Sequence, residues 1–289
     1  MAVRLGLIGS GRWGRNIERT LLGFDDVSVV LVGRNEPLRR DFDGVLIATP
    51  STTHAELALP YIEAGISTFI EKPMTTSVIE AQRIREAAER SCSPVFVGHV
   101  QLYNPAFLEF VKILSGLGEI RYASCESANG NPRVDSSVLW DWLPHDLSMA
   151  QMIFCTTPAA VQAWALSNAP NCQAAVTRFD YGGKSLLSTI SWQSQIRQQR
   201  LTVVAERATL ILDDRAQHRL TLYGLDGNIS YPEYGNEPPL TAELCGFLDM
   251  VRLRSSNGLH IALGTLIAEA IEAAEKSMSN DGVIVEIRP

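Results

Sequence analysis

A glycine triplet constrains this chain more than any other feature. Gly9-x-Gly11-x-x-Gly14 follows the apolar run Val3–Ile8 at once and opens a helix-like stretch to about Leu22. In that strand–turn–helix context each glycine has its own reason. The first permits the tight turn, the second lets backbone approach a pyrophosphate, and the third lets helix and strand pack closely. The helix N-terminus adds N–H donors and a positive dipole end. The pattern therefore expects Gly9, Ser10, Gly11, Arg12, Trp13 and Gly14 to line a dinucleotide site. The competing reading is a glycine turn of purely structural use.

The following residues keep the same rhythm. Strand-like runs at Val27–Val32, Val45–Ala48, Thr68–Ile70 and Pro94–Val100 alternate with helical stretches from about His54 to Ala64 and from Ser77-x-x-Glu80, a capping-box pattern, to about Arg90. Such alternation predicts a parallel sheet with helices on its faces over residues 1–102. The segment after the second strand is unusual. Only Asn35–Gly44 leads to the next strand, whereas a parallel crossover normally takes a dozen or more residues and a helix. Gly33-Arg34-Asn35 stands where an NAD site usually carries Asp or Glu for the adenosine ribose. Arg34 can pair with a 2′-phosphate, so the expected cofactor is NADP, with NAD the alternative. Arg34 as a plain solvated loop residue is the bland reading.

At 289 residues the chain is long enough for two domains. Its net charge of -7 disfavours sequence-independent nucleic-acid binding. The five cysteines include no C-x-x-C pair and read as reduced thiols. No apolar run approaches a membrane span. The opening apolar stretch is interrupted by Arg4 and Gly6 and does not resemble a signal peptide. The expectation is a cytoplasmic protein with no membrane partner.

The second half, residues 103–289, reads as α+β. A helix capped by Asn104-Pro105 ends near Gly118. Short strand-like stretches then run from Ala160 to Tyr223, punctuated by Gly182-Gly183, Asp213-Asp214 and Asp226-Gly227. Helices at about Thr241–Arg254 and Ile261–Ser277 and a strand Val283–Ile287 close the chain. The fold class is thus an α/β Rossmann N-terminal domain plus an α+β C-terminal domain with a mainly antiparallel open sheet.

Ligands of open parallel sheets bind beyond the carboxyl ends of the strands. Three segments end there: Gly9–Gly14, Thr49–Thr53 and Glu71–Pro73. Only four of the 25 basic side chains are lysines, so Lys72 at a strand end hints that titration matters, since a desolvated lysine can exchange a proton near neutral pH. A surface or ion-paired lysine fits equally. Asp141 and His145 are four apart and share a face if helical. Pro144 suggests a helix entry, with Asp141 just before it. The pair reads either as a general acid/base unit or as a capping acid beside a half-buried histidine. His54 beside the Thr49–Thr53 loop and His99 at a strand end are weaker candidates. No spacing resembles a zinc site, and there is no G-x-S-x-G elbow.

Taken together, Gly9-x-Gly11-x-x-Gly14, Val45-Leu-Ile-Ala-Thr49-Pro50 with His54, Glu71-Lys72-Pro73 and Asp141-x-x-x-His145 closely resemble the Gfo/Idh/MocA family of oxidoreductases. Trp13–Asn16, Leu102–Pro105 and Trp140–Ser148 look most like a branch acting on nucleotide sugars or polyols. The resemblance implies hydride transfer between a nicotinamide cofactor and a carbinol or carbonyl carbon of a small sugar-like molecule. It implies cofactor contacts from Arg34, Thr49, Pro50, His54, Glu71 and Lys72, and substrate contacts from Tyr103, Asn104 and His145. Lys72 would hydrogen-bond the reacting oxygen, His145 would exchange its proton, and Asp141 would hold the geometry. It further implies a homodimer or homotetramer formed through the C-terminal sheet. Two other functions share these residues: a non-catalytic dinucleotide-binding regulator, and an enzyme that recycles a tightly held cofactor.

Overall fold

The computed structural model describes residues 2–33, 36–133, 136–167, 172–255 and 258–287. In chain order the first elements are β1 (Val3–Ile8), α1 (Arg12–Leu21), β2 (Val27–Val32), β3 (Gly44–Ile47), α2 (His54–Glu63), β4 (Ser67–Glu71), α3 (Val78–Ser91) and β5 (Val95–Gly98). Next come α4 (Pro105–Leu114), β6 (Ile120–Ala128), α5 (Val138–Phe154), β7 (Ala160–Ala165), β8 (Ala174–Asp180) and β9 (Ser185–Ser191). The rest are β10 (Gln198–Ala205), β11 (Ala208–Asp213), β12 (Leu220–Gly224), β13 (Ile229–Ser230), α6 (Pro239–Leu253), α7 (Leu259–Met278) and β14 (Val285–Glu286). Two units result: Met1–Val100 with Pro238–Ala268, and Gln101–Glu237 with Glu269–Pro289.

The first unit holds a five-stranded sheet in the order β2-β1-β3-β4-β5, with every pairing parallel. Its central strands are buried on both faces, as parallel sheets require. Val45, Leu46 and Ile47 of β3 are fully inaccessible. Ser77 is the N-cap of α3, but its side chain makes no capping bond, so the expected capping box does not form.

The link into β3 has no helix in its described part. Phe42 is buried in that link and lies against Gly6, where an added Cβ would come within 2.8 Å of the ring. The Arg39 guanidinium stacks on the same ring at 4.7 Å and pairs with Asp41 at 2.8 Å. On the opposite face of the sheet, α6 lies against β3: a Cβ on Gly44 would come within 2.9 Å of Val251 and 3.1 Å of Phe247. Leu244, Phe247, Leu248 and Val251 form one buried stripe of α6 at helical spacing. Phe247 packs edge-on to Phe69 of β4 and Phe96 of β5, with ring centroids 5.5 and 5.9 Å away. Residues 238–268, which the sequence reading assigned to the second domain, thus belong to the first. The reason is this stripe, which finds its apolar partner on the parallel sheet.

The second unit holds a nine-stranded sheet in the order β13-β12-β11-β10-β6-β9-β8-β7-β14. Every pairing is antiparallel except β6 with β9. β6 escapes the sequence reading because its inward residues, Ala123, Cys125 and Ser127, are small or polar and leave little apolar alternation. α5 packs against β6, β8 and β9, and α4 against β11. The opposite face of the sheet carries the exposed side chains of Tyr122, Trp164, Leu187 and Tyr223. α5 also differs from expectation. Pro144 does not mark its entry. The helix starts six residues earlier, at Val138, with Asp141 in its first turn and Pro144 inside it.

Candidate active site

The glycine turn tests whether a dinucleotide fits. Gly9 has φ +125°, a conformation that favours glycine, and an added Cβ would fall on the Ala48 carbonyl. A Cβ on Gly14 would fall on the Gly9 carbonyl. Both residues are glycine for the protein's own packing. Gly11 differs: its φ of -65° suits any residue, and a Cβ there would meet nothing within 4 Å. Its bare backbone opens onto free space at the N-terminus of α1, and no side chain caps that helix. That is the cradle a pyrophosphate needs. Ser10, Arg12 and Trp13 are exposed around it, and Arg15 braces the turn by donating to the Ser10 carbonyl at 2.9 Å.

Trp13 ties this turn to the end of β4, because its indole N–H donates to Oε1 of Glu71. The other Glu71 oxygen accepts the Lys72 backbone N–H at 3.2 Å. Burial pushes the Glu71 carboxyl up to about 7, against the pull of the Trp13 bond and the Lys72 charge. Lys72 follows directly, joined to Pro73 by a cis peptide bond.

The neighbouring loop, from β3 to α2, carries Thr49, Pro50 and His54. Thr49 and Thr53 share a hydroxyl–hydroxyl bond of 2.8 Å. His54 is buried, with Nδ1 at 2.9 Å from the Pro73 carbonyl and Nε2 at 2.9 Å from the Thr49 carbonyl. Both atoms thus face protein backbone, and the ring braces two loops together. His99, at the end of β5, is buried, and neither ring nitrogen has a hydrogen-bond partner among the described residues. Burial, with the charges of His260 and Lys72, pushes it down to about 3, so it is neutral.

Arg34 lies outside the described residues. A carboxylate that sequence reading passed over follows two residues later in the chain: Glu36 folds back so that Oε1 accepts the Gly33 N–H at 2.8 Å. Its signal in the sequence was an acid three residues beyond Gly33.

In the second unit, Asp141 and His145 lie one turn apart on α5. The Asp141 oxygens accept from Arg133 (Oδ1, 3.0 Å) and from the indole of Trp192 (Oδ2, 3.0 Å). Trp192, 51 residues away in sequence, had no motif to announce it. Tyr103 is half-buried. Asn104, expected to touch substrate, is buried and caps α4, its Oδ1 accepting the Ala106 N–H at 3.1 Å. Beside His145, Asp146 is buried, and burial pushes its carboxyl up to about 7 against the pull of Ser188 and Cys125.

Fold and glycine turn define the first unit as a Rossmann-type dinucleotide-binding unit. Residues 23–99 match the model of the Gfo/Idh/MocA family, described as an oxidoreductase family with an NAD-binding Rossmann fold. That match lies within the first unit. Among curated relatives, inositol 2-dehydrogenase of Rhizobium meliloti is 27% identical over 197 residues, 57% of this chain and 59% of that protein. UDP-N-acetylglucosamine 3-dehydrogenase of Acidithiobacillus ferrooxidans is 31% identical over 130 residues, 44% of this chain and 41% of that protein. The chain thus spans about two fifths to three fifths of the curated relatives it matches. A crystal structure from Magnetospirillum magnetotacticum, provisionally described as an oxidoreductase, superimposes with TM-score 0.84 at 29% identity, covering 94% of this chain and 99% of that one.

Proposed function

We propose that this chain is an NAD(P)-dependent dehydrogenase that oxidises a hydroxyl-bearing carbon of a sugar, nucleotide sugar or polyol, or reduces the corresponding carbonyl. The observation that carries this reading is the Trp13–Glu71 bond. It fixes the segment bearing Lys72 beside the helix that would hold a pyrophosphate. The names of the curated relatives, dehydrogenases of inositol and of a nucleotide sugar, supply the substrate class.

The bound nicotinamide would supply a hydride acceptor. The protein's own task is the proton. A carbinol that loses hydride while keeping its hydroxyl proton becomes a protonated ketone, which is costly. Lys72 would hydrogen-bond the reacting oxygen, and His145 would take its proton. Asp141, held by Arg133 and Trp192 on the same helix face, would stabilise the imidazolium so formed. Glu36 favours NAD as the partner, by accepting from the adenosine ribose. Arg34 remains the residue that would admit NADP.

The protein would work as a homo-oligomer, with the face bearing Tyr122, Trp164, Leu187 and Tyr223 as the contact surface, a patch larger than isolated apolar residues need. The activity test is turnover of NAD⁺ or NADP⁺ with myo-inositol and with UDP-N-acetylglucosamine. Lys72→Met is expected to lower turnover by roughly 10²–10⁴-fold while cofactor binding persists. Wild-type turnover in that variant would remove Lys72 from the mechanism.

A further inference from the structure

A second buried carboxyl lies beside the first, on an element that brings no motif with it. Glu243 of α6 is wholly buried, and neither of its oxygens accepts a hydrogen bond from a described residue. An ionised carboxylate left so would be among the most costly groups a protein can bury.

The packing explains where it points. On α6, Glu243 stands one turn before Phe247; on β4, Glu71 stands two residues after Phe69 on the same strand face. The two rings are in contact at 5.5 Å, and Val251, one turn further along α6, meets Gly44, the register partner of Ser67 at the start of β4, so α6 runs against the strand and carries Glu243 toward Glu71. Gly98, the register partner of Glu71, leaves the space: a Cβ there would come within 3.3 Å of Glu71 Oε1. Each carboxylate would repel the other, and burial with the Glu71 charge pushes Glu243 well above the usual carboxylate range.

The two acids are not equivalent. Glu71 receives two N–H donors and faces the Lys72 charge. Glu243 receives no such donor, so the proton of the pair belongs on it. Besides Lys72, two imidazoles lie nearby: His99 at the end of β5 and His260 on α7, which stacks on Phe96. Burial lowers both, and His99, at about 3, is neutral.

We propose that Glu243 is a positioning residue for Lys72: held protonated, it donates a hydrogen bond to the Glu71 carboxylate and so fixes a single negative charge beside the Lys72 ammonium. One proton shared by two acids thereby sets the charge that a catalytic lysine meets, in the way that paired carboxyls share a proton elsewhere.

This inference deepens the dehydrogenase reading, and its first test does not depend on that reading. Infrared spectra of the full chain at pH 8 are expected to contain a protonated-carboxyl C=O band that is absent in Glu243→Gln and retained in Lys72→Met. No such band in the wild type, or a band untouched by Glu243→Gln, would overturn the proposal. The second test is the pH profile of NAD⁺ reduction with myo-inositol. Glutamine can still donate to Glu71, so Glu243→Gln is expected to leave the acidic limb in place. Glu243→Leu keeps the volume and removes the donor, and is expected to move that limb upward by about one pH unit. Equal behaviour of the two variants would contradict the donor role. Absence of turnover in the wild type would count against the dehydrogenase reading alone, because the infrared result decides the acid pair.

Discussion

At the scale of single residues, the glycine turn separates binding from folding. Gly14→Ala would drive a methyl group into the Gly9 carbonyl, so it is expected to lower the melting temperature, with losses of about 1–3 kcal/mol as in other overpacked sites. Gly11→Val meets no protein atom at its Cβ. It is expected to leave the melting temperature nearly unchanged and to weaken dinucleotide binding, a contrast that thermal denaturation and calorimetric titration would display together. Asp146 carries a pH signature of its own. Its folded pKa of about 7 lies above the usual value of 3.8. Between those values the folded state holds a proton that the unfolded state has lost, so stability falls as pH rises through this window, by at most about 1.4 kcal/mol per pH unit. Asp146→Asn is expected to flatten that slope in urea titrations between pH 4 and 7. An unchanged slope would mean that the burial of Asp146 does not control its proton.

Among the elements, α6 explains how a sheet can dispense with a crossover helix. Among the described residues the link into β3 has no helix and lays Phe42 over Gly6 on one face, while α6 covers the other. Phe247→Ala would open a cavity between Phe69 and Phe96 and is expected to cost about 3–5 kcal/mol in chemical denaturation. This arrangement also explains which parts of the sequence were readable. β1, β2 and α1 were legible because an unbroken apolar run and three glycines each obey a local rule. The return of residues 238–268 to the first unit was not legible, since the amphipathic stripe of α6 says that it is buried but not against what. β6 was missed because Ala123, Cys125 and Ser127 give a strand no apolar rhythm. The site divides in the same way. Gly11, Lys72, Asp141 and His145 sit in motifs, so sequence can nominate them for the proposed site. Trp192, Glu36 and Glu243 enter the proposal through surroundings that only the folded chain shows. His54 and Asn104 were found by position, but their side chains hold backbone: carbonyls for His54, the first turn of α4 for Asn104.

The whole molecule joins a nucleotide-binding unit to a unit whose large sheet is covered by helices on one face. The uncovered face suits self-association. Leu187→Arg on it is expected to shift the protein toward monomer in sedimentation velocity, with little change in the far-ultraviolet circular dichroism spectrum. An unaltered sedimentation coefficient would exclude this face as the contact. The central claim, that the glycine turn holds a nicotinamide dinucleotide beside Lys72, is tested most directly by fluorescence titration with NADH and NADPH. The account predicts saturable binding of at least one of them to the wild type, kept in Lys72→Met and lost in Gly11→Val. No binding to the wild type, or equal binding in Gly11→Val, would contradict it.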